Sequence, residues 1–417
     1  MRSRLLDQPP RLDRTPITVA GQCRPDEHPI DRLRAQRGAA GAASLYVHVP
    51  FCAHKCHYCD FYSLVDTRDR QDAFIDRLIE ELGGLPPLAG PLATVFVGGG
   101  TPTLLRPDLW RRLLAAMHDR FDLASAEFTV ECNPETASPD LFAVLAAGGV
   151  NRISIGAQSF DERHLRTLER RHDPANVERS IRLARDAGIA RQSVDLIFAI
   201  PGQTMDDWRR DLGRLLDLGV THASCYALTY EPNTAMTARL GRGEFESADD
   251  DLEADMLQAA IDRLGAAGLQ RYEVSNFAAP GHECRHNLAY WRQDDWLAAG
   301  PSASGHLRGW RWKNAPRLDT YLARRGPHGT PPAVDVEPPD ANRAAAERLM
   351  TGLRLREGID PAWIATDLDQ PARERLDAAY DALVRDDLAQ RAGGRVMLKD
   401  AGLLRADGIA ADLMALL

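Results

Sequence analysis

The chain has 417 residues, of which 44% are hydrophobic, and its 51 basic and 60 acidic side chains give a formal net charge of -9. This balance, without a long basic run, excludes nucleic acid as a partner, and no apolar run reaches the roughly 18 residues that a membrane span needs. The length predicts two domains, one of them large enough to form a barrel.

Residues 1–43 are rich in Arg, Pro, Asp and Ala and have no sustained apolar period, so they are predicted to be a disordered leader. The leader carries eight Arg but also five acidic residues, whereas mitochondrial transit peptides avoid acids. It also lacks the apolar core of a secretion signal. The chain has seven cysteines, and three of them lie too close together for an efficient disulfide framework. Together these features predict a cytoplasmic protein with reduced thiols.

Residues 44–268 alternate short β-rich runs with amphipathic helical stretches. The predicted strands are "SLYVHVPF", "TVFVGGG", "EFTVECNP", "NRISIGAQS", "QSVDLIFAIPG" and "HASCYALTY". The stretches between them place apolar residues at i, i+3 and i+4, with Asp, Ser or Thr at several starts and Gly at most ends. Apolar strands that alternate with helices predict an α/β fold with a parallel sheet covered on its outer face, here a partial (β/α)6 barrel.

Each predicted strand ends in a polar side chain or in a bare backbone loop. The chemistry of a βα barrel lies at the carboxyl ends of its strands, so these groups are predicted to share one rim. In chain order they are Cys52, the glycines 98–100 with Thr101, Glu131, Gln158, Asp195, and Tyr226 with Ala227. Their joint pattern marks this rim as the candidate functional site.

The loop after the first strand, "HVPFCAHKCHYCDFYS", holds Cys52, Cys56 and Cys59 in a C-x3-C-x2-C spacing. Three thiolates on one loop can reach one centre, and thiolates select iron-sulfur clusters, zinc or copper(I). A cubane held by three cysteines keeps one iron open to a small molecule. A zinc site stays an alternative, because "HECRH" at 282–286 offers a distant fourth ligand.

The cysteine spacing, with an aromatic Tyr58 before the last cysteine, resembles that of radical S-adenosylmethionine (SAM) proteins. Further motifs resemble the family that contains oxygen-independent coproporphyrinogen III dehydrogenase (HemN) and the haem chaperone HemW, namely "VFVGGGTPTLL", "ECNPE", "NRISIGAQSF", "LERRHD", "VDLIFAIPGQT" and "CRHNLAYW". The resemblance implies that the three cysteines hold a 4Fe-4S cluster. It also implies that SAM chelates the open iron and that an electron from the cluster cleaves SAM to a 5'-deoxyadenosyl radical.

The same resemblance implies which residues bind SAM. The backbone of Gly99, Gly100 and Thr101 would meet the SAM amino group, because glycine allows a ligand to approach the main chain closely. Carboxylates suit ribose hydroxyls or an ammonium group, and arginine suits a carboxylate. The other residues that align with SAM contacts are Tyr46, Glu131, Gln158, Arg170 and Asp195. Each could instead cap a loop, satisfy buried backbone or pair with a local charge.

Two features bring the resemblance nearer to HemW than to the dehydrogenases. The dehydrogenases carry a further cysteine two residues after the third cluster ligand, where this chain has Phe61. The chain also has the HemW motif "HNLAYW" at 286–291, in which His286 is either a haem-binding residue or a buried packing residue. One departure is Ser304, which stands where the family has a histidine, so that the role of that histidine is altered here or has passed to His306.

Residues 269–417 are predicted to form a smaller C-terminal α+β domain. Helical patterns followed by the hairpin-like "RAGGRVML" suggest a winged-helix-like arrangement for packing or partner contact, since its charges are mixed. Two further cysteines, Cys132 and Cys225, lie in or just beyond apolar strands and are predicted to be packing residues.

The resemblance implies a haem chaperone that delivers haem to haem-dependent membrane enzymes. It further implies an electron donor such as flavodoxin or ferredoxin, and it leaves open a homodimer and whether SAM is cleaved in function. Two alternatives remain: oxidative decarboxylation of coproporphyrinogen III by a substrate radical, and a zinc-binding scaffold without catalysis.

Overall fold

The computed structural model describes residues 28–36, 40–366 and 368–417. Its strands, numbered in chain order, are β1 (Ala42–Val49), β2 (Ala89–Gly99), β3 (Glu127–Cys132), β4 (Arg152–Gln158), β5 (Arg191–Phe198), β6 (His222–Ala227), β7 (Gln270–Arg271), β8 (Asn276–Ala278), β9 (Trp296–Ala299), β10 (Ser304–Leu307), β11 (Trp310–Asn314), β12 (Ala333–Glu337), β13 (Ala389–Ala392) and β14 (Arg395–Leu398).

The helices are α1 (Pro29–Ala35), α2 (Gln71–Leu82), α3 (Pro107–His118), α4 (Pro139–Ala147), α5 (Glu162–Thr167), α6 (Ala175–Asp186), α7 (Met205–Asp217), α8 (Ala235–Gly241), α9 (Asp250–Ala266), α10 (Arg285–Trp291), α11 (Leu318–Ala323), α12 (Ala341–Gly352), α13 (Pro361–Ile364), α14 (Gln370–Arg385), α15 (Asp400–Leu403) and α16 (Ala406–Met414). Across these described ranges, every helix is too short or too polar to cross a bilayer.

Twelve of the strands form one sheet, in the order β12-β11-β10-β9-β1-β2-β3-β4-β5-β6-β8-β7. Strands β1 to β6 are successive parallel neighbours, and β9 extends this parallel part beyond β1. The sheet then continues with antiparallel pairs, β9 with β10 on one side and β6 with β8 on the other. Because β1 and β6 pair with these additional strands and not with each other, the barrel is open, as the partial (β/α)6 prediction requires.

The alternation of residues along β1 shows how the sheet is built. Leu45, Val47 and Val49 are buried in the main hydrophobic core. Tyr46 and His48 point to the opposite face, because successive side chains of a strand alternate between faces. There the Tyr46 hydroxyl donates to His48 Nδ1 at 3.1 Å. The strand therefore places its apolar side chains in the core and its polar ones inside the barrel.

The predicted helix starts are confirmed at several positions. Ser138 caps α4 by accepting a hydrogen bond from the Leu141 amide at 3.2 Å. Thr204 and Asp207 form a reciprocal capping box at the start of α7. Such caps satisfy amides that have no partner within the first turn, so they fix where each helix leaves the strand-end loops.

The predicted disordered leader is wrong for the part of it that the structure describes before β1. Residues 29–35 form α1, and Ile30 and Leu33 are buried in the main core. His28 begins this helix, and its Nε2 is 3.3 Å from Asn314 Oδ1. Two apolar side chains one turn apart are enough to dock a short helix when tertiary contacts supply the surface. The prediction for 1–27 and 37–39 lies outside the described residues.

The structure also differs from the predicted domain boundary at 268/269. Strands β7 to β12 belong to the barrel sheet, so residues 270–337 complete the first unit. A second core begins with Ala345 and reaches Leu413, built by α12 to α16 and the β13–β14 hairpin. Gly393 and Gly394 form its turn with positive φ values of 57° and 79°, which confirms the predicted hairpin. The winged-helix-like arrangement stays a prediction.

Candidate functional site

A cavity of about 490 Å³ opens at the carboxyl ends of the parallel strands. The predicted rim is confirmed, because one residue or more from every one of the six strand ends lines this cavity. The predicted site residues in the lining are Cys52, Cys56, Cys59, Gly99, Gly100, Thr101, Glu131, Gln158, Arg170 and Asp195, with Tyr226 and Ala227 beside them. Their binding roles stay predictions at this point.

The cysteine loop is closed at its base by backbone pairing. The Cys52 amide donates to the Leu64 carbonyl at 2.9 Å, and the Leu64 amide donates to the Pro50 carbonyl at 2.8 Å. All three cysteines are half-buried and free. Burial, opposed by a hydrogen bond from the Phe61 backbone, raises the pKa of the Cys59 thiol to about 11. The thiol is therefore protonated in the metal-free chain, and a bound metal must displace its proton.

The spacing of the sulfurs bears on the zinc alternative. Within the described part of the chain, only Asp161, His164 and Asp207 place three metal-ligand atoms within 4.8 Å of one another. The three cysteine sulfurs are therefore spread more widely than this. A single zinc ion, with Zn–S bonds of about 2.3 Å, holds its sulfurs about 4 Å apart. The fully buried Cys284 is also outside the cavity lining. A polynuclear cluster fits this arrangement better than one zinc ion does.

The glycine loop after β2 packs tightly against the first strand and the third. Gly99 has a φ of +108°, and a Cβ there would collide with the His48 ring. A Cβ at Gly98 would lie 2.7 Å from Glu131 Oε2. The Gly100 amide donates to the Val49 carbonyl and the Thr101 amide donates to the Phe51 carbonyl, both at 2.7 Å. Glycine is required at 98 and 99 because a side chain would collide with Glu131 or His48, and the bare backbone of Gly99 and Gly100 faces the cavity.

Two carboxylates, from β3 and from β5 on either side of β4, face the cavity. Glu131 Oε2 accepts a hydrogen bond from the Gly99 amide at 3.0 Å. Burial, opposed by that amide and reinforced by the charge of Asp195, raises the pKa of Glu131 to about 7. Burial also raises the pKa of Asp195, although three hydroxyls donate to it, those of Ser154, Ser193 and Ser224. The Gly99 amide at Glu131, and the hydroxyls and the charge of Arg152 at Asp195, do not fully offset the cost of burying these two carboxylates.

Gln158 and Arg170 complete the wall of the cavity. Gln158 has a φ of +64° at a bulge in the pairing of β4 with β5, a backbone conformation that costs a non-glycine residue roughly 1 kcal/mol or more. Arg170 donates through Nη2 to the Gly156 carbonyl at 2.5 Å, and its Nη1 lies 3.7 Å from Cys56 Sγ. The Nε of Arg170 is buried and has no partner among the described residues.

Two predicted site residues, Tyr46 and His286, are not in the cavity lining. The Tyr46 hydroxyl is bonded to His48, as described above. His286 is 1% exposed, with Nδ1 2.7 Å from the Thr94 hydroxyl and Nε2 2.9 Å from the Tyr290 hydroxyl. Burial lowers the pKa of His286 to about 3, so its ring is neutral. Both ring nitrogens are engaged, which favours the packing interpretation of "HNLAYW".

His306 also lies away from the cysteine cavity. Its Nδ1 donates to the Asp294 carbonyl at 3.2 Å, and its ring centroid is 4.8 Å from that of Trp296. It lines a different cavity, beside the start of α12. Ser304, in β10, is exposed. The alternative that His306 takes over a role of the family histidine at the cluster therefore has no geometric support, and a role of His306 in haem binding stays a prediction.

Several residues that line the cavity or bond to its carboxylate Asp195 were not predicted from the sequence. Asn133 lies just past β3 and lines the cavity, and the serines around Asp195 come from three adjacent strands. A signal for the serines was present, because Ser193 and Ser224 each stand two residues before a rim residue and so share its face of the strand. Asn133 carried no such signal, since its position depends on contacts between loops.

The groups in the cavity fit the cofactors that the resemblance implies. Three half-buried thiols on one loop suit a cluster with one open iron. The fourth cysteine of the lining, Cys132, lies outside that loop, is 3% exposed and donates through Sγ to the Asn133 carbonyl. The unpartnered Arg170 Nε suits a carboxylate, and the under-compensated Glu131 and Asp195 suit an ammonium group or ribose hydroxyls. The chain thus offers complementary partners for the carboxylate, the ammonium group and the ribose of SAM.

We expect Glu131→Gln to reduce the dependence of stability on pH. The unfolded carboxyl, near its ordinary pKa of 4.5, ionises while the folded one, with a pKa of about 7, keeps its proton. Stability of the metal-free protein therefore falls as pH rises from 4.5 to 7, by about 3 kcal/mol at most from this residue. Urea unfolding at pH 5 and pH 8 should show this loss in the parent and not in Glu131→Gln. The exposed Glu135→Gln is the matched control, and equal slopes in all three proteins would contradict the account.

Comparison with known proteins gives matches over both units of the chain. The family model of the radical SAM superfamily matches residues 46–215, and that of the HemN C-terminal domain matches residues 340–405. A protein of Lactococcus lactis named heme chaperone HemW is 38% identical over 76% of this chain and 82% of its own length. A Mycobacterium tuberculosis protein of the same name is 37% identical over 89% of this chain and 94% of its own length.

The solved structure of HemN from Escherichia coli, described as a radical SAM enzyme, superposes with a TM-score of 0.79 and covers 94% of each chain. Its sequence identity is 22%, so it supports the fold alone. The HemW proteins are 37–38% identical to this chain over most of both lengths, so the chain is more similar in sequence to them than to HemN. The chain belongs to the HemW family within the radical SAM superfamily.

Proposed function

We propose that this chain is a haem chaperone, which binds a 4Fe-4S cluster, SAM and haem and delivers haem to haem-dependent proteins. The observation that carries the proposal is the meeting of three half-buried cysteines with the strand-end groups in one cavity. Relatives named heme chaperone HemW, matched over most of their length, support haem as the cargo. Membership of the radical SAM superfamily implies the cluster and SAM as cofactors.

In this proposal Cys52, Cys56 and Cys59 hold three irons and leave the fourth for SAM. When bound, the cluster and SAM supply one-electron chemistry at the sulfonium. The chain itself holds the cysteine loop by backbone pairing to Leu64 and encloses it under the glycine loop. The protein therefore orients the two cofactors and limits their access to water.

The proposed SAM contacts follow from unsatisfied groups in the cavity wall. Arg170 Nε can donate to the SAM carboxylate, and the bare backbone at Gly99 can approach the amino group. Glu131 and Asp195 can accept from ribose hydroxyls or from the ammonium group. The Tyr46 hydroxyl would have to break its hydrogen bond to His48 to reach SAM. We therefore propose that Tyr46 supports the residues that contact SAM and does not itself bind SAM.

We favour the chaperone over the dehydrogenase because of the residue beside the cluster loop. Phe61 lies at the edge of the cavity and is 62% exposed, at the position where the dehydrogenases carry a cysteine. An aromatic ring offers flat apolar surface to a porphyrin but has no thiol chemistry. Coproporphyrinogen III dehydrogenation is the second candidate, because residues 340–405 match the family model of the HemN C-terminal domain.

The haem contact predicted at His286 is the weakest fit to the geometry. Ligation of iron by His286 would require its bonds to Thr94 or Tyr290 to break inside a closed core. We therefore propose that His286 and Tyr290 hold α10 in the barrel, and that haem contacts other groups. Delivery to membrane enzymes, an electron donor such as flavodoxin or ferredoxin, a homodimer and a cytoplasmic location complete the proposal.

The test is a haem titration of the anaerobically reconstituted full chain, with and without SAM, followed by assay for 5'-deoxyadenosine. The chaperone proposal predicts a saturable Soret band at about one haem per chain. Coproporphyrinogen III, added to the same preparation with SAM and a reductant, is expected to remain unconverted. Formation of protoporphyrinogen would favour the dehydrogenase, and absence of any saturable haem binding would overturn the chaperone proposal.

A further inference from the structure

Asn133, just beyond β3, joins residues that contact two different cysteines. Its Nδ2 lies 3.2 Å from the Thr101 hydroxyl, and its Oδ1 lies 3.2 and 3.1 Å from the two terminal nitrogens of Arg170. The Thr101 hydroxyl is 3.6 Å from Cys52 Sγ, and Arg170 Nη1 is 3.7 Å from Cys56 Sγ. A continuous path of polar contacts therefore runs from Cys52 through Asn133 to Cys56.

The chemistry of the donors fixes the direction of each hydrogen bond in this path. A guanidinium group has only donors, so the atom of Asn133 that faces Arg170 must be the carbonyl oxygen. The amide nitrogen then faces Thr101 and donates to its hydroxyl oxygen. With that lone pair occupied, the single hydroxyl proton of Thr101 is free to point at Cys52. Asn133 thus leaves the Thr101 hydroxyl proton and a second N–H of Arg170 Nη1 free to point at the two sulfurs.

The surroundings hold these donors in place. Arg170 is 9% exposed, and its Nη2 is also fixed by the Gly156 carbonyl at 2.5 Å. Thr101 is 2% exposed, and its amide donates to the Phe51 carbonyl at 2.7 Å. Both side chains therefore have few alternative orientations. Little conformational entropy is lost when they donate hydrogen bonds to the sulfurs.

We propose that Asn133 is a positioning residue that aims the Thr101 hydroxyl and the Arg170 guanidinium at two of the three cluster thiolates, raising the reduction potential of the cluster and slowing its loss. The inference rests on the cluster assignment made under the proposed function. Hydrogen bonds to cluster sulfurs stabilise the more negative, reduced state, so they raise the potential. Groups that orient metal ligands also contribute to retention of the metal, typically by about 10- to 100-fold.

The test compares neutral, nearly isosteric variants of the reconstituted full chain. Asn133→Leu removes the bridge, Thr101→Val removes the donor to Cys52, and Thr101→Ser restores a hydroxyl. Thr103→Val is the matched control, because the Thr103 hydroxyl is buried two residues away and bonds to Thr136 at 2.7 Å rather than to a cluster thiol. Each protein is assayed for iron content, for the rate of cluster loss to a chelator, and for midpoint potential by redox titration followed by electron paramagnetic resonance.

We expect Asn133→Leu and Thr101→Val to have a more negative midpoint potential than the parent protein and to lose the cluster to the chelator faster. Thr101→Ser and Thr103→Val should have the midpoint potential and rate of cluster loss of the parent protein. The effects of the first two should not add in the double variant, because Asn133 acts in part through the Thr101 hydroxyl. The inference would be overturned if cluster-containing Asn133→Leu and Thr101→Val had the same midpoint potential as the parent protein. It would also be overturned if the shifts in midpoint potential of the two variants were strictly additive in the double variant. If Asn133→Leu does not load, the comparison of Thr101→Val with Thr101→Ser decides it. A parent protein that binds no cluster would instead refute the proposed function.

Discussion

Replacing Cys52, Cys56 or Cys59 singly by alanine is expected to reduce the iron of the reconstituted protein from about four per chain to near zero. Each of the three lines the strand-end cavity on one loop. The fourth cysteine of that lining, Cys132, is buried in β3 and bonds to the Asn133 carbonyl, so we do not expect it to replace a lost ligand. The measurements are iron content and the visible absorption of the anaerobic protein.

The matched control is Cys225→Ala. Cys225 is 1% exposed within β6 and belongs to the main core, so its loss should cost stability by about 1 kcal/mol while iron content remains at the parent level. A cluster that survives alanine at Cys56, or one that is lost equally in Cys225→Ala, would contradict the assignment of ligands.

The second large effect is expected from His286→Ala, as a loss of stability rather than of haem. The substitution leaves the buried hydroxyls of Thr94 and Tyr290 without their partner and opens a cavity between α10 and β2. Together these changes should lower the free energy of unfolding by about 3–5 kcal/mol. Urea unfolding of the metal-free protein measures this loss.

The same variant separates the two interpretations of the "HNLAYW" motif. Haem titration of folded His286→Ala, at a temperature well below its unfolding transition, should give the parent stoichiometry and affinity. His118→Ala is the control for stability, because His118 is exposed and bonds only to the Gly148 carbonyl. Loss of haem binding in His286→Ala with unchanged stability would instead make His286 a haem ligand.

Local sequence patterns were sufficient to predict the parallel part of the sheet. The six predicted strands correspond to β1 to β6, because apolar runs flanked by capped helices are a local signal. The rim followed from topology, since parallel strands bring their carboxyl ends to one edge. The buried state of Cys132 and Cys225 was predicted correctly for the same reason.

Contacts between distant segments could not be predicted in this way. Strand β9 pairs with β1 across about 250 residues of chain, and His286 reaches Thr94 with a separation of 192 residues. The short helix α1 depends on burial of Ile30 and Leu33 against a surface formed mostly by later residues. The Asn133 bridge depends on three loops at once. Such features arise from tertiary packing, which overrides weak local signals.

The central claim is that the cluster-bearing chain carries haem and does not transform a porphyrinogen. The most direct measurement is an anaerobic haem titration of the reconstituted protein with SAM, in which bound haem and 5'-deoxyadenosine are quantified together and coproporphyrinogen III serves as the competing ligand. We predict saturation near one haem per chain and no protoporphyrinogen. Conversion of coproporphyrinogen III with one or more equivalents of 5'-deoxyadenosine, without saturable haem binding, would contradict the account.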